Sequence, residues 1–166
     1  MIYLLKEKYG FSYETEVKDV LKGVEEFISD KKGDCEDWSL FVLSLLDYIR
    51  NKTRKNVILT CKENKGYKFF LYKIGNTEYY LKDCKELEID LDDLRGNMIC
   101  YEEDTYGHCI IGFSKENLDP SNLDLDVYLF EPQNGIYLGK LKDLNKEITI
   151  ILNREDIYLK KWGFWK

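Results

Sequence analysis

The chain has 166 residues, the length of one ordinary domain able to bury a core, with 25 Lys and Arg against 31 Asp and Glu for a formal charge of −6. A net-acidic chain is a poor non-specific ligand for nucleic acid, and two prolines with 44% hydrophobic residues argue against disorder. One histidine, His108, excludes any metal site needing two imidazoles from this chain and carries whatever imidazole chemistry the chain performs.

From the N-terminus, MIYLLKEKYG places charge where a signal peptide needs its apolar run, and no later stretch reaches the roughly 18 apolar residues that span a bilayer. A cytoplasmic protein with no membrane association is expected, and with it reduced thiols: five cysteines are an odd number, and cytosolic cysteines are mostly small buried hydrophobes. Val17, Val20, Leu21, Val24, Phe27 and Ile28 share one helical face, so the spacing predicts a helix over 14–30. Asp34 then reads as an N-cap with Asp37 at the capping-box position. Trp38, Phe41, Val42, Leu45, Leu46 and Ile49 form a broad apolar stripe, which predicts a largely buried helix over 35–50.

Past residue 55 the pattern turns to strands, expected at 56–62, 67–73, 77–82, 98–101, 107–113, 126–131, 135–138 and 147–152. Turn signals such as Asn64-Lys65-Gly66, Gly75-Asn76 and Asn134-Gly135 separate several of them. Helices first and strands later predict an α+β fold with an antiparallel sheet in a single domain over 1–166. Residues 78–104 hold ten acids and three bases, so the acidity is local. That run reads as a solvated face, or as a rim that favours cationic substrates. The tail, with Trp162 and Trp165, is expected to pack back on the body.

Three residues form a candidate catalytic set. Cys35 falls in the first turn of the 35–50 helix, where free amides and the helix dipole favour a thiolate. His108 lies on the strand Gly107–Phe113, where alternation puts His108 and Cys109 on opposite faces. Glu131, followed by Pro132, ends the next strand and is placed to receive the second ring N–H. A zinc site drawing on Cys61, Cys84, Cys100, His108 and Cys109 is the chemical rival, though no C-x-x-C spacing supports it.

The run Gly33-Asp34-Cys35-Glu36-Asp37-Trp38 resembles the start of the central helix in the transglutaminase-like branch of the papain-like cysteine enzymes. That branch follows with a glycine-histidine strand and then an acidic residue, usually Asp and often before Pro. The counterparts here are Cys35, His108 and Glu131, over roughly residues 14–136. Glu131 stands where Asp is usual, and Asn134 competes for the third place. The resemblance implies a papain-like core, with N-terminal helices on an antiparallel sheet. It also implies a cysteine hydrolase or acyl transferase working on a protein or peptide substrate through a thioester on Cys35, with a Cys-His-Glu triad and no cofactor or metal. A catalytically silent member of the same fold, used for binding or assembly, is the alternative. One oxyanion donor would be the Cys35 backbone N–H; the second, a Trp or one of thirteen tyrosines, is not legible.

Overall fold

A computed structural model describes residues 2–15, 20–53, 57–64, 67–74, 77–82, 87–90, 93–104, 106–135 and 137–165. Its architecture is mixed α+β. The first helix, α1 (Ile2–Tyr9), stops at Gly10, whose φ of +76° lets the Gly10 and Phe11 amides turn back onto the Lys6 and Leu5 carbonyls. A short strand, β1 (Ser12–Tyr13), then runs parallel to β2 (Lys32–Gly33). Between them lies α2 (Val24–Asp30), and α3 (Cys35–Thr53) follows β2 at once.

The helix expected over 14–30 is therefore shorter. The reason lies in the backbone amides. The Lys22 N–H donates to Asp37 Oδ1 at 2.7 Å, in the first turn of α3, instead of to a helical carbonyl. Gly23 is extended, and α2 starts only after it. Val20, Leu21 and Ile28, part of the apolar stripe, are exposed, while Phe27 is fully buried. Val17 lies outside the described residues.

The C-terminal part is a seven-stranded antiparallel sheet. Its strands are β7 (Arg95–Glu103), β8 (Tyr106–Ser114), β9 (Tyr128–Phe130), β10 (Tyr137–Lys140), β11 (Ile148–Leu152), β12 (Ile157–Lys161) and β13 (Phe164–Trp165). The order across the sheet is β10-β9-β8-β7-β11-β12-β13. A second antiparallel sheet joins β3 (Val57–Asn64), β4 (Tyr67–Ile74), β5 (Thr77–Lys82) and β6 (Leu87–Asp90) in the order β5-β4-β3-β6. Strands β1, β2, β6, β12 and β13 were not anticipated; the other large-sheet strands fall where the alternation placed them.

Alternation along β7, β8 and β9 sorts the large sheet into two faces. Ile111, Phe113 and Phe130 pack against Trp38, Phe41, Val42 and Leu46 of α3. Phe11, Phe27, Trp38 and Phe41 close this face as an aromatic cluster, with Phe27 and Phe41 centroids 4.8 Å apart. Ile99, Tyr101, Ile110 and Leu129 face the other way, onto Leu118, Val127, Leu141 and Ile151. Trp165 packs on that second core, but Trp162 at the β12–β13 turn is 89% exposed, so only half of the tail folds back as expected. Among the described residues, no helix is long and apolar enough to cross a membrane.

Candidate functional site

The start of α3 carries the half of the capping pattern in which the Asp37 side chain reaches back to the N-cap amide. The Asp34 N–H meets Asp37 Oδ2 at 3.4 Å, and the Trp38 N–H closes the first turn on the Asp34 carbonyl at 3.0 Å. Trp38 Nε1 donates to the Ser12 carbonyl at 3.2 Å, and Ser39 Oγ donates to the Cys35 carbonyl at 2.7 Å. Gly33 is forced by close approach: a Cβ there would sit 2.6 Å from Asp37 Cβ and 2.9 Å from Phe27 Cε2. These contacts fix the first turn of α3 and, with it, the backbone of Cys35.

The Cys35 thiol is buried against the sheet. Its sulfur accepts the Cys109 N–H at 3.2 Å. Cys109 faces Cys100 across β7 and β8 with their Cα atoms 4.1 Å apart, the spacing of a non-hydrogen-bonded antiparallel pair. The Cys109 N–H is then turned away from β7, toward the side where β9 has already ended at Phe130. Cys35 Sγ takes the place of a missing strand partner. The thiol itself donates to Glu36 Oε2 at 3.2 Å.

Those surroundings correct the expected thiolate. Burial pushes the Cys35 thiol up to about 12, and the Glu36 carboxylate and the Asp34 charge push the same way, against the favourable Cys109 amide. At rest Cys35 is a protonated thiol.

His108 and Glu131 are brought together. His108 Nε2 lies 2.8 Å from Glu131 Oε2, with side-chain exposures of 15% and 13%. The sheet register explains the meeting. Phe130 is opposite Ile111, so extending the ladder by one residue sets Glu131 opposite Ile110, diagonal to His108 on the same face. Glu131, not Asn134, is the partner of the ring. The other oxygen, Oε1, is buried without a hydrogen-bond partner, so the imidazole is the main compensation for this carboxylate. The bond to Glu131 raises the His108 pKa above 6.5, despite the opposing effect of burial. With Nε2 engaged, Nδ1 is the nitrogen left to exchange a proton.

Among the described residues no hydrogen bond joins Cys35 to the imidazole, and His108 lies on the sheet face opposite the one that α3 covers. They are linked through the chain: the amide that holds Cys35 Sγ belongs to the residue after His108.

Two tyrosines narrow a choice that the sequence left among thirteen. Tyr101 is paired with His108 across the strands, its ring edge-on at 5.6 Å. Burial pushes its hydroxyl up to about 12, and Glu103, Glu131 and Cys35 add to the shift. Tyr13 pairs with Gly33, and its hydroxyl is also raised, by burial first and then by Cys35, Asp34 and Glu131. Both hydroxyls feel the candidate nucleophile and the candidate orienter. The sequence offered no signal for either, because each depends on a cross-strand register.

Reduced thiols and a zinc site are both corrected by a disulfide between Cys100 and Cys109. The two residues stand directly opposite in the β7–β8 ladder, and neither retains a thiolate to offer a metal. Cys84 lies outside the described residues, as does the side chain of Cys61. Cys35 Sγ, a Glu36 carboxylate oxygen and Cys109 Sγ all lie within 4.8 Å of one another.

Beside His108 opens a groove of about 780 Å³. Its floor includes Met98, Ile150 and Leu159, and Glu36, Glu102 and Asp104 supply negative charge. Glu102 and Asp104 close the acidic segment read from the sequence; the side chains of its residues 78–92 lie outside those described.

No protein-family model matches this chain, and neither does any curated protein or solved structure.

Proposed function

We propose that this chain is a transglutaminase-like, papain-like cysteine hydrolase or acyl transferase, acting on amide bonds of a protein or peptide through a thioester on Cys35. His108 is the base, Glu131 orients it, and no cofactor takes part. The observation that carries the reading is the partly buried His108–Glu131 bond, one residue from the amide that holds the Cys35 sulfur.

In this mechanism the Cys35 proton leaves Glu36 and passes to His108 Nδ1, which requires the ring to turn toward the sulfur. The thiolate attacks the substrate carbonyl carbon, and its π pair moves onto oxygen. The Cys35 backbone N–H and a tyrosine hydroxyl, Tyr13 or Tyr101, donate to that oxyanion. His108 returns the proton to the leaving nitrogen as the C–N bond breaks. Water or a second amine then attacks the thioester and releases Cys35. The carboxylates of the groove favour substrates with positive charge near the scissile bond. A cytoplasmic location belongs to the same proposal.

One observation favours a second reading, a silent fold used for binding: the resting thiol is bonded to Glu36 and not to the imidazole. The activated ester p-nitrophenyl acetate decides between the two. The enzyme reading expects a burst of nitrophenol, an acetyl group on Cys35 that hydroxylamine removes, and loss of both in His108→Ala. No burst, with Cys35 unacetylated, selects the silent fold.

A further inference from the structure

Cys35 has a second electrophile within reach, and it is part of the protein. Its sulfur lies within 4.8 Å of Cys109 Sγ, one end of the Cys100–Cys109 disulfide, and it is Cys109 rather than Cys100 that joins this cluster. The Cys109 N–H already points at Cys35 Sγ. A thiol beside a disulfide sulfur is the starting arrangement for exchange.

We propose that Cys35, Cys109 and Cys100 form an intramolecular thiol–disulfide exchange site, in which Cys35 attacks Cys109 and reversibly caps itself. The Cys35 proton passes to Glu36, which already accepts its hydrogen bond, and on to solvent. The sulfur lone pair forms the Cys35–Cys109 bond as the Cys100–Cys109 bond breaks. The bonding pair leaves on Cys100, which takes up a proton. One thiol and one disulfide are present before and after, so no oxidant or reductant is consumed. Cys100 stays opposite Cys109 in the ladder, ready for the reverse attack. In the capped form Cys35 is no longer a nucleophile.

This chemistry goes beyond the amide chemistry above and holds whether or not Cys35 acylates. It also gives the bridge a use, because disulfides in a reducing compartment are commonly transient and redox-sensing.

Disulfide mapping tests it. The intact protein is held at pH 7 and pH 9 and quenched in acid. Its free thiols are then blocked with N-ethylmaleimide in denaturant, and its peptides are read by mass spectrometry. A Cys35–Cys109 peptide should appear with an equal amount of blocked Cys100. Its rate of appearance should rise about 100-fold from pH 7 to pH 9, since the thiolate fraction of a weakly acidic thiol grows about tenfold per pH unit. Cys35→Ser should show Cys100–Cys109 alone. Cys100→Ser, treated with oxidised glutathione, should close Cys35–Cys109 and lose Cys35 labelling. A wild-type map holding only Cys100–Cys109, with Cys35 fully blocked at pH 9, overturns the proposal. So does a Cys100→Ser protein whose Cys35 stays open. Neither result alters the ester burst, so the two proposals fail separately.

Discussion

Glu36 follows Cys35 by one residue and accepts the hydrogen bond of its thiol, so the nucleophile and its restraint come from the same turn of helix. Burial is the largest influence holding the thiol protonated, and Glu36 adds a hydrogen bond and a charge. Glu36→Gln removes the charge and keeps the shape. It should raise the rate of Cys35 alkylation at neutral pH, on the order of tenfold for each pKa unit recovered. An unchanged rate would assign the whole effect to burial. His108 works in the opposite sense. Its bond to Glu131 raises its pKa above 6.5, so the folded imidazole holds its proton more tightly than the unfolded one. The stability gained from the pair is therefore complete below pH 6.5 and is lost as the pH rises through the raised value. Thermal melts across that window should show Tm falling with pH in the wild type and a flatter profile in Glu131→Gln. The same slope in both proteins would contradict the linkage. Cys35, His108 and Glu131 were legible as residue types in order. The contact between Cys35 and the Cys109 amide was not, because it depends on β9 ending at Phe130, two residues short of a partner for that amide.

Helix α3 was readable because cap, apolar stripe and length agreed, and it spans Cys35–Thr53. The helix expected over 14–30 failed because three residues of its stripe, Val20, Leu21 and Ile28, stay in solvent, and because Asp37 of α3 captures the Lys22 amide. Local pattern cannot see a partner fifteen residues away. The joint between β2 and α3 is equally tertiary. Gly33→Ala would drive a methyl group into Asp37 and the Phe27 ring. We expect a loss of about 1–3 kcal/mol, as for overpacked cores, read as a shift of the urea midpoint. Trp38→Ala should cost more, about 3–5 kcal/mol, since Trp38 is fully buried against Phe11, Phe27 and Phe41. If Gly33→Ala melts like the wild type, the close approach at this joint is not what fixes Cys35.

Across the whole molecule, charge and fold meet at the groove beside His108. The net charge of −6 concentrates in a segment whose last acids, Glu102 and Asp104, line that groove with Glu36. A cationic methanethiosulfonate should therefore modify Cys35 faster than an anionic one at low salt, and the difference should shrink as salt screens it. Equal rates at low salt would remove the groove from the substrate argument. The α+β class was legible because helices and strands occupy separate stretches of chain. The Cys100–Cys109 bridge was not, since sequence alone cannot pair opposite strands. The proposed chemistry requires the lone imidazole to serve the buried thiol across a sheet face. The direct measurement is the rate of iodoacetamide labelling of Cys35 against pH, in the wild type and in His108→Ala. His108→Ala should lower the neutral-pH rate about 100-fold, the low end of general-base assistance, and leave a profile that rises only toward the thiol's own high pKa. The same rate and the same profile in both proteins would contradict the proposed chemistry.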